Sequence, residues 1–332
     1  DVYASVNDLL DENKRKNGIQ KEEKQEINFV EEQDVFQNLI GSNGSLKNPI
    51  EQMKTSIFYP NTSLPVFLHG PTGSGKSFMA RKIYEFAVQE GILKPDAPFI
   101  IMNCAQYVNN IELLSSNLFG YVKGAFTGAY ATTKGLLEAA DGGMLFLDEV
   151  HRLNSESQEK LFVFLDQGIF RRMGESEGWH KAKVRMVMAT TENLESNFLD
   201  TFLRRIPIVV QIPSLRERGE QERLQFIYHF FIEESKVLDK KMKVSGNVIE
   251  ALLNHLYQGN IGDLENKIKF ICATAYAKEK RKNEIDIHLE HLPEDVKRAI
   301  KNCRPCDSSY HTACICNTRC KAMHKPARQR TS

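Results

Sequence analysis

The feature that most restricts this chain is the octapeptide Gly70-Pro71-Thr72-Gly73-Ser74-Gly75-Lys76-Ser77. It fits G-x-x-x-x-G-K-[ST] in full, and the pattern carries a mechanism. Glycines let successive backbone N–H groups turn inward around phosphates. A helix that starts near Lys76 aims the positive end of its dipole at the same place. The Lys76 ammonium is then set to reach β- and γ-phosphates, and the Ser77 hydroxyl to ligate Mg²⁺. Such a loop works between a strand and a helix, and the flanking residues predict both. Leu64–His69 reads as a short apolar strand and Lys76–Gln89 as a helix.

The following residues extend that unit. Strands are predicted over Pro98–Asn103, Gly143–Leu147, Val184–Ala189 and Ile208–Ile212, with helices over Ile111–Phe119 and Ser155–Gln167 between them. This alternation implies βαβ units and a parallel sheet. A further helix, around Ile50 to Tyr59, precedes the first strand. After Pro213 the strands are expected to stop, because Gln221–Leu238, Gly246–Leu256 and Gly262–Lys280 all read as amphipathic helices. Four parts follow: 1–35 as a charged linker or the end of an upstream domain, 36–213 as an α/β nucleotide-binding domain, 214–300 as a helical lid, and 301–332 as a cysteine-rich basic tail. The first residue is not Met, which leads to the expectation of a fragment of something longer.

Composition narrows the function classes. The 332 residues are 41% hydrophobic and 26% charged, which suits one large α/β domain with a smaller accessory part. No run of 18 apolar residues and no signal-peptide pattern occurs, so a cytoplasmic protein without membrane contact is expected. The tail from Lys301 holds seven Lys or Arg against one Asp, so the body is slightly acidic. A body of that charge offers no broad basic field for nucleic acid. Cys104 and Cys272 lie in apolar stretches and read as small buried hydrophobes in a reducing compartment. Cys303, Cys306, Cys314, Cys316 and Cys320 crowd the tail near His311 and His324. Their C-x-C spacing does not fit a standard zinc ribbon, so zinc is not expected there, and the tail is read as disordered or non-native sequence.

A second motif completes the phosphate site. Gly142-Gly143-Met144-Leu145-Phe146-Leu147-Asp148-Glu149 is an apolar strand that ends in two acids. At the carboxyl end of a central strand Asp148 is placed to hold the Mg²⁺ shell, and Glu149 to polarise the attacking water. A third segment is odd for a pure ATPase. Gly124-Ala125-Phe126-Thr127-Gly128-Ala129 sets one aromatic and one hydroxyl between glycines, on a loop inserted before the acidic strand. The glycines give mobility, and Phe126 is expected at the tip as an exposed apolar group for a partner.

These motifs together resemble the sigma-54-dependent transcriptional activators, the bacterial enhancer-binding proteins of the AAA+ class, over residues 36 to 295. G-A-F-T-G-A is the signature that carries the resemblance. Within that family the chain is similar to the LevR-like regulators of sugar-phosphotransferase operons, whose H-R-L and L-R-R-I-P look like His151-Arg152-Leu153 and Leu203-Arg204-Arg205-Ile206-Pro207. The resemblance implies an AAA+ P-loop fold, a doubly wound parallel sheet with a C-terminal helical lid. It implies hydrolysis of ATP with Mg²⁺ by a homo-oligomer, a hexamer, that remodels RNA polymerase bound to sigma-54 through the loop. DNA contacts would come from domains absent from this chain. It makes Asn103 the switch residue coupled to Glu149, and Thr191 the sensor on a strand between the two Walker strands. Arg204 becomes the finger that acts on a neighbouring subunit, with Arg205 second. Three positions depart from the family: Ser77 where most members carry Glu, Phe198 at the other finger position, and Gly262 at the second-sensor Arg. The departures keep two rivals open, a nucleotide-gated oligomerisation module with little turnover and another AAA+ remodelling ATPase.

Overall fold

Short apolar runs, each too brief for a stable helix, form the strands at the centre of the molecule. The computed structural model describes residues 34–59, 64–279, 284–301 and 313–315. Two compact units are present: residues up to Gly219 together with Gln258–Gly262, and Glu220–Tyr257 together with the described residues from Asp263 on.

In chain order the first unit carries α1 Lys47–Phe58, β1 Val66–His69, α2 Lys76–Gln89, β2 Phe99–Asn103, α3 Ile111–Phe119, β3 Gly120–Tyr121 and β4 Thr133–Lys134. It continues through α4 Leu136–Ala139, β5 Met144–Asp148, α5 Ser155–Gln167, β6 Ile169–Phe170, β7 His180–Lys181, β8 Arg185–Thr190, α6 Leu194–Asn197, α7 Asp200–Leu203 and β9 Ile208–Gln211. Five strands form one parallel sheet in the order β2-β5-β8-β1-β9. Successive side chains of a strand face opposite ways, so each strand feeds two cores. Phe67, Leu145, Leu147, Met186 and Met188 join one cluster, and Val66, Leu68, Met144, Phe146 and Val187 the other. Both faces are covered, as all-parallel sheets require. Side-chain caps set the helix starts: Asn110 Oδ1 accepts from Leu113 N at 2.9 Å and Asn154 Oδ1 from Ser157 N at 3.0 Å.

The second unit carries α8 Gly219–Leu238 from Glu220 on, β10 Lys241–Val244, α9 Gly246–Asn254, α10 Asn260–Glu279 from Asp263 on, β11 Glu284–Ile287, α11 Glu294–Lys301 and β12 Ala313–Ile315. The expectation that strands stop after Pro213 is therefore wrong. β10 pairs with β11 in parallel and with β12 antiparallel. Lys-Met-Lys-Val and Glu-Ile-Asp-Ile alternate charged and apolar residues, so Met242, Val244, Ile285 and Ile287 turn inward and are fully buried. Four residues of alternation were too few to stand out beside long helical periodicities. Cys104 and Cys272 are buried and unpaired. Burial pushes the Cys104 thiol up to about 12 and raises that of Cys272 as well. Of the tail cysteines Cys314 lies on β12, and Cys303, Cys306, Cys316 and Cys320 lie outside the described residues. No helix among the described residues is long and apolar enough to cross a membrane.

Candidate functional site

Parallel pairing brings the carboxyl ends of neighbouring strands to one edge, where ligand crevices of α/β sheets form. Asn103 on β2 sits in register with Asp148 on β5, and His69 on β1 with Thr190 on β8. Between β1 and α2 runs the phosphate-binding loop, Gly70 to Ser77. Gly73 has φ 72°, and a Cβ there would lie 2.0 Å from the carbonyl oxygen of Gly259. At Gly70 a Cβ would lie 2.5 Å from the Ile212 carbonyl oxygen. No side chain fits at either place, so the backbone itself lines the loop.

Lys76 is the first residue of α2 and is 6% exposed. Its Nζ donates to the carbonyls of Gly70 at 2.8 Å and Pro71 at 3.1 Å. Burial lowers its pKa, and the charges of Glu149 and Asp148 oppose that shift. Ser77 Oγ donates to Asp148 Oδ2 at 3.2 Å, and Asp148 Oδ1 accepts from Glu149 N at 3.0 Å. Ser77 and Asp148 thus form a pair of oxygen donors of the kind a hard cation takes.

Glu149 adopts φ 52°, a left-handed conformation rare outside glycine and concentrated at functional positions. Its Oε2 lies 3.4 Å from His151 Nδ1. The same Nδ1 lies 3.0 Å from Thr190 Oγ1. Asn103, expected to couple to Glu149, accepts from the backbone N–H of Ala105 at 2.9 Å through Oδ1. Thr191 follows the last residue of β8, and Thr190 carries the contact to His151, which lies beyond the acidic strand.

Asn260 and Arg218 belong to the surroundings of the loop and were not singled out from the sequence. Asn260 Nδ2 donates to the Thr72 carbonyl at 2.8 Å, and its Oδ1 accepts from Leu215 N at 3.0 Å. Ile261 N donates to the Gly73 carbonyl at 3.0 Å, and Arg218 Nη2 to the Ser74 carbonyl at 3.3 Å. These partners come from positions 140 and more residues downstream, so no local pattern signals them. Gly262 stands in open space, with nothing within 4 Å of a Cβ placed there.

The two arginines differ. Arg205 pairs with Asp166 at 3.0 Å and lies over the Phe162 ring at 5.2 Å. Arg204 is exposed at the end of α7. Phe198 is 7% exposed and packs on Phe67 and Phe202, so it is a core residue.

The glycine-flanked loop departs from the expectation. Its turn closes on itself, with Gly124 N donating to Ala129 O at 2.9 Å and Ala129 N to Phe126 O at 3.0 Å. Phe126 is half-buried, its ring centroid 5.0 Å from that of Tyr121. An aromatic ring gains from leaving water, and Tyr121 offers the nearest apolar surface. Thr127 is exposed, and Tyr130, at 87% exposure, is the aromatic that faces solvent. The β6–β7 hairpin seats the loop and was missed in the sequence. Met173 N donates to Gly120 O at 2.9 Å, and Val122 N to Met173 O at 3.1 Å. Below it Arg172 grips Glu138 through two hydrogen bonds of 2.8 Å, which hold the Glu138 carboxyl below its ordinary range. Trp179, the single tryptophan of the chain, lies on this hairpin with the Arg171 guanidinium 4.2 Å from its ring centroid.

Comparison with known proteins decides the family. A model described as "Sigma-54 interaction domain" matches residues 39–209, more than half of the chain, and one described as "AAA+ ATPase lid domain" matches 216–306. The chain belongs to the sigma-54 activator family of AAA+ proteins. It is 46% identical to the transcriptional regulatory protein LevR of Bacillus subtilis, over 78% of this chain and 28% of LevR. It is 42% identical to DagR of Salmonella typhimurium, over 74% of this chain and 26% of DagR. The chain thus spans about a quarter of the length of these curated relatives. Among solved structures it is similar to NtrX of Brucella abortus in complex with ATP, with a TM-score of 0.65 and 23% identity over 82% of this chain and 57% of NtrX. That likeness shows the shared AAA+ fold. In the sheet β8 lies between β5 and β1, the order that the resemblance implied.

Proposed function

We propose that this chain is the ATP-hydrolysing motor of a sigma-54-dependent transcriptional activator, working as a ring. The observation that carries the reading is the convergence of Lys76, Ser77, Asp148 and Glu149 on one sheet edge. These residues fit a nucleoside triphosphate with its magnesium ion: a cradle that a Cβ would fill, a buried ammonium, and a hydroxyl–carboxylate pair. When bound, the ion would draw charge from the terminal phosphate. Lys76 turns its ammonium from the Gly70 and Pro71 carbonyls to the phosphates, and Ser77 and Asp148 hold the ion. Glu149 orients a water and takes its proton, because a carboxylate at this position is an acceptor with a fixed backbone. Arg204, exposed, is available to complete a neighbouring subunit's site, and Arg205 is second because Asp166 already holds it. Asn103 and Thr191 relay the phosphate state, and Gly124 to Ala129 contact sigma-54 on RNA polymerase, with DNA bound by other parts of a longer protein.

The test measures ATP hydrolysis against protein concentration, with and without sigma-54 and a transition-state mimic. Turnover that rises cooperatively, with sigma-54 captured in the trapped state, is expected. The Glu149→Gln variant should bind ATP and lose turnover by about 10²-fold or more. Thr127→Ala should keep hydrolysis within about twofold and abolish activation of transcription. A second reading, a nucleotide-gated assembly module, is favoured by Gly262 and by the core role of Phe198. A wild-type ring without turnover would select it.

A further inference from the structure

His151 lies outside every role assigned above, yet it joins two strands of the site. Its side chain is 6% exposed. Nδ1 lies 3.0 Å from Thr190 Oγ1 at the end of β8 and 3.4 Å from Glu149 Oε2 beyond β5. Nε2 is buried without a hydrogen-bond partner. Thr190 Oγ1 also accepts from Glu192 N at 3.1 Å, so the hydroxyl is held from the other side.

These contacts choose the tautomer. A neutral imidazole carries one N–H. On Nε2 that N–H would be buried and orphaned, and the bare Nδ1 lone pair would face the lone pairs of an ionised carboxylate. On Nδ1 the N–H meets the Thr190 hydroxyl in a hydrogen bond, with the Glu149 carboxylate close by at 3.4 Å. The shorter contact is to Thr190 and the longer to Glu149, so the strand anchors the ring while the carboxylate keeps some freedom.

We propose that His151 is the positioning residue for Glu149, with its Nδ1–H bonded to the Thr190 hydroxyl and set against that carboxylate. The link ties the acid to the strand end beside Thr191. It rests on the hydrolytic reading of the site. Glu149 in the left-handed conformation would otherwise choose among several carboxylate rotamers, and His151 selects one.

Three replacements separate position from bulk. His151→Phe keeps the ring volume and removes both nitrogens. His151→Asn sets an amide nitrogen near the place of Nδ1, and His151→Gln near that of Nε2. The expected result for Phe is a kcat lower by about tenfold or more, with affinity for a non-hydrolysable ATP analogue within about threefold of wild type. Asn should recover most of the rate and Gln little of it. Thr190→Val should lower kcat in the same direction and add little on top of His151→Phe. In the nucleotide-free wild-type chain, ¹⁵N spectra of the imidazoles, assigned by the His151→Phe difference, should show the Nδ1–H form. An Nε2–H form, or equal rates for Phe, Asn and wild type, would overturn the proposal while leaving hydrolysis intact. Undiminished turnover in Glu149→Gln would instead remove the hydrolytic reading, and the role of His151 with it.

Discussion

At Gly73 a single hydrogen stands where any other residue would place a carbon against the Gly259 carbonyl. Gly73→Ala meets that clash and a positive φ together, so a stability loss of about 2 kcal/mol is expected, with loss of nucleotide binding. Chemical denaturation and a nucleotide titration check both. Burial, before any neighbouring charge, lowers the pKa of His151 below its ordinary 6.5, and His255 is lowered for the same first cause. The unfolded chain then binds protons that the folded chain refuses. Stability is therefore full above pH 6.5 and falls as the pH drops below it. Melting curves between pH 7.5 and 5 should show this, and His151→Phe should flatten part of the slope. Lys76, Ser77, Asp148 and Glu149 were legible in the sequence because each motif is contiguous and carries its own chemistry. The His151–Thr190 link was not, because it joins residues 39 apart that only the parallel register brings together. The partial burial of Phe126 was hidden for a similar reason: its neighbour Tyr121 is close in sequence, but the turn that folds the ring back is a tertiary choice.

Among elements, α2 was legible to the residue, since a glycine-rich start and an unbroken helical pattern mark both ends. The β6–β7 hairpin was not, since two-residue strands have no periodicity to read. Yet it is the seat of the glycine-flanked loop. A Cβ on Gly174 would lie 2.7 Å from the Ala125 Cβ, at φ 76°. Gly174→Val should thus unseat the loop and lower transcription activation more than ATP hydrolysis. An effect of the same size on both would mean that the hairpin serves the active site instead. Deeper in the hairpin, Arg172→Ala removes both charged hydrogen bonds to Glu138 and leaves a carboxylate 15% exposed without them. A cost of about 2 kcal/mol is expected in thermal unfolding, largest above the acid range where Glu138 is ionised.

On the scale of the whole molecule, the small sheet in the second unit was not anticipated. Gly262 offers a direct experiment on the departure from the family. Nothing surrounds its missing side chain, so Gly262→Arg should be accepted without strain and should gain up to about 1 kcal/mol from helix propensity. If a guanidinium there can serve the nucleotide, ATP affinity should rise several-fold in the same variant. The ring itself is tested by mixing. Arg204→Ala and Glu149→Gln should each be inactive, and an equal mixture should regain about a quarter of wild-type turnover, because a head-to-tail interface pairs some intact acids with intact neighbouring arginines. A mixture as dead as its parts would place Arg204 outside the active site.

Trp179 turns the hairpin into an optical gauge. It is the single indole in the chain, half exposed, with a guanidinium held over its face, on the strand-and-turn segment that touches the loop. Its emission therefore comes from one place, and a cation that slides off the ring or a change in wetting shifts its colour and intensity. Stopped-flow mixing of unlabelled protein with nucleotide would time any movement of the loop against the hairpin, with no dye attached and no residue replaced.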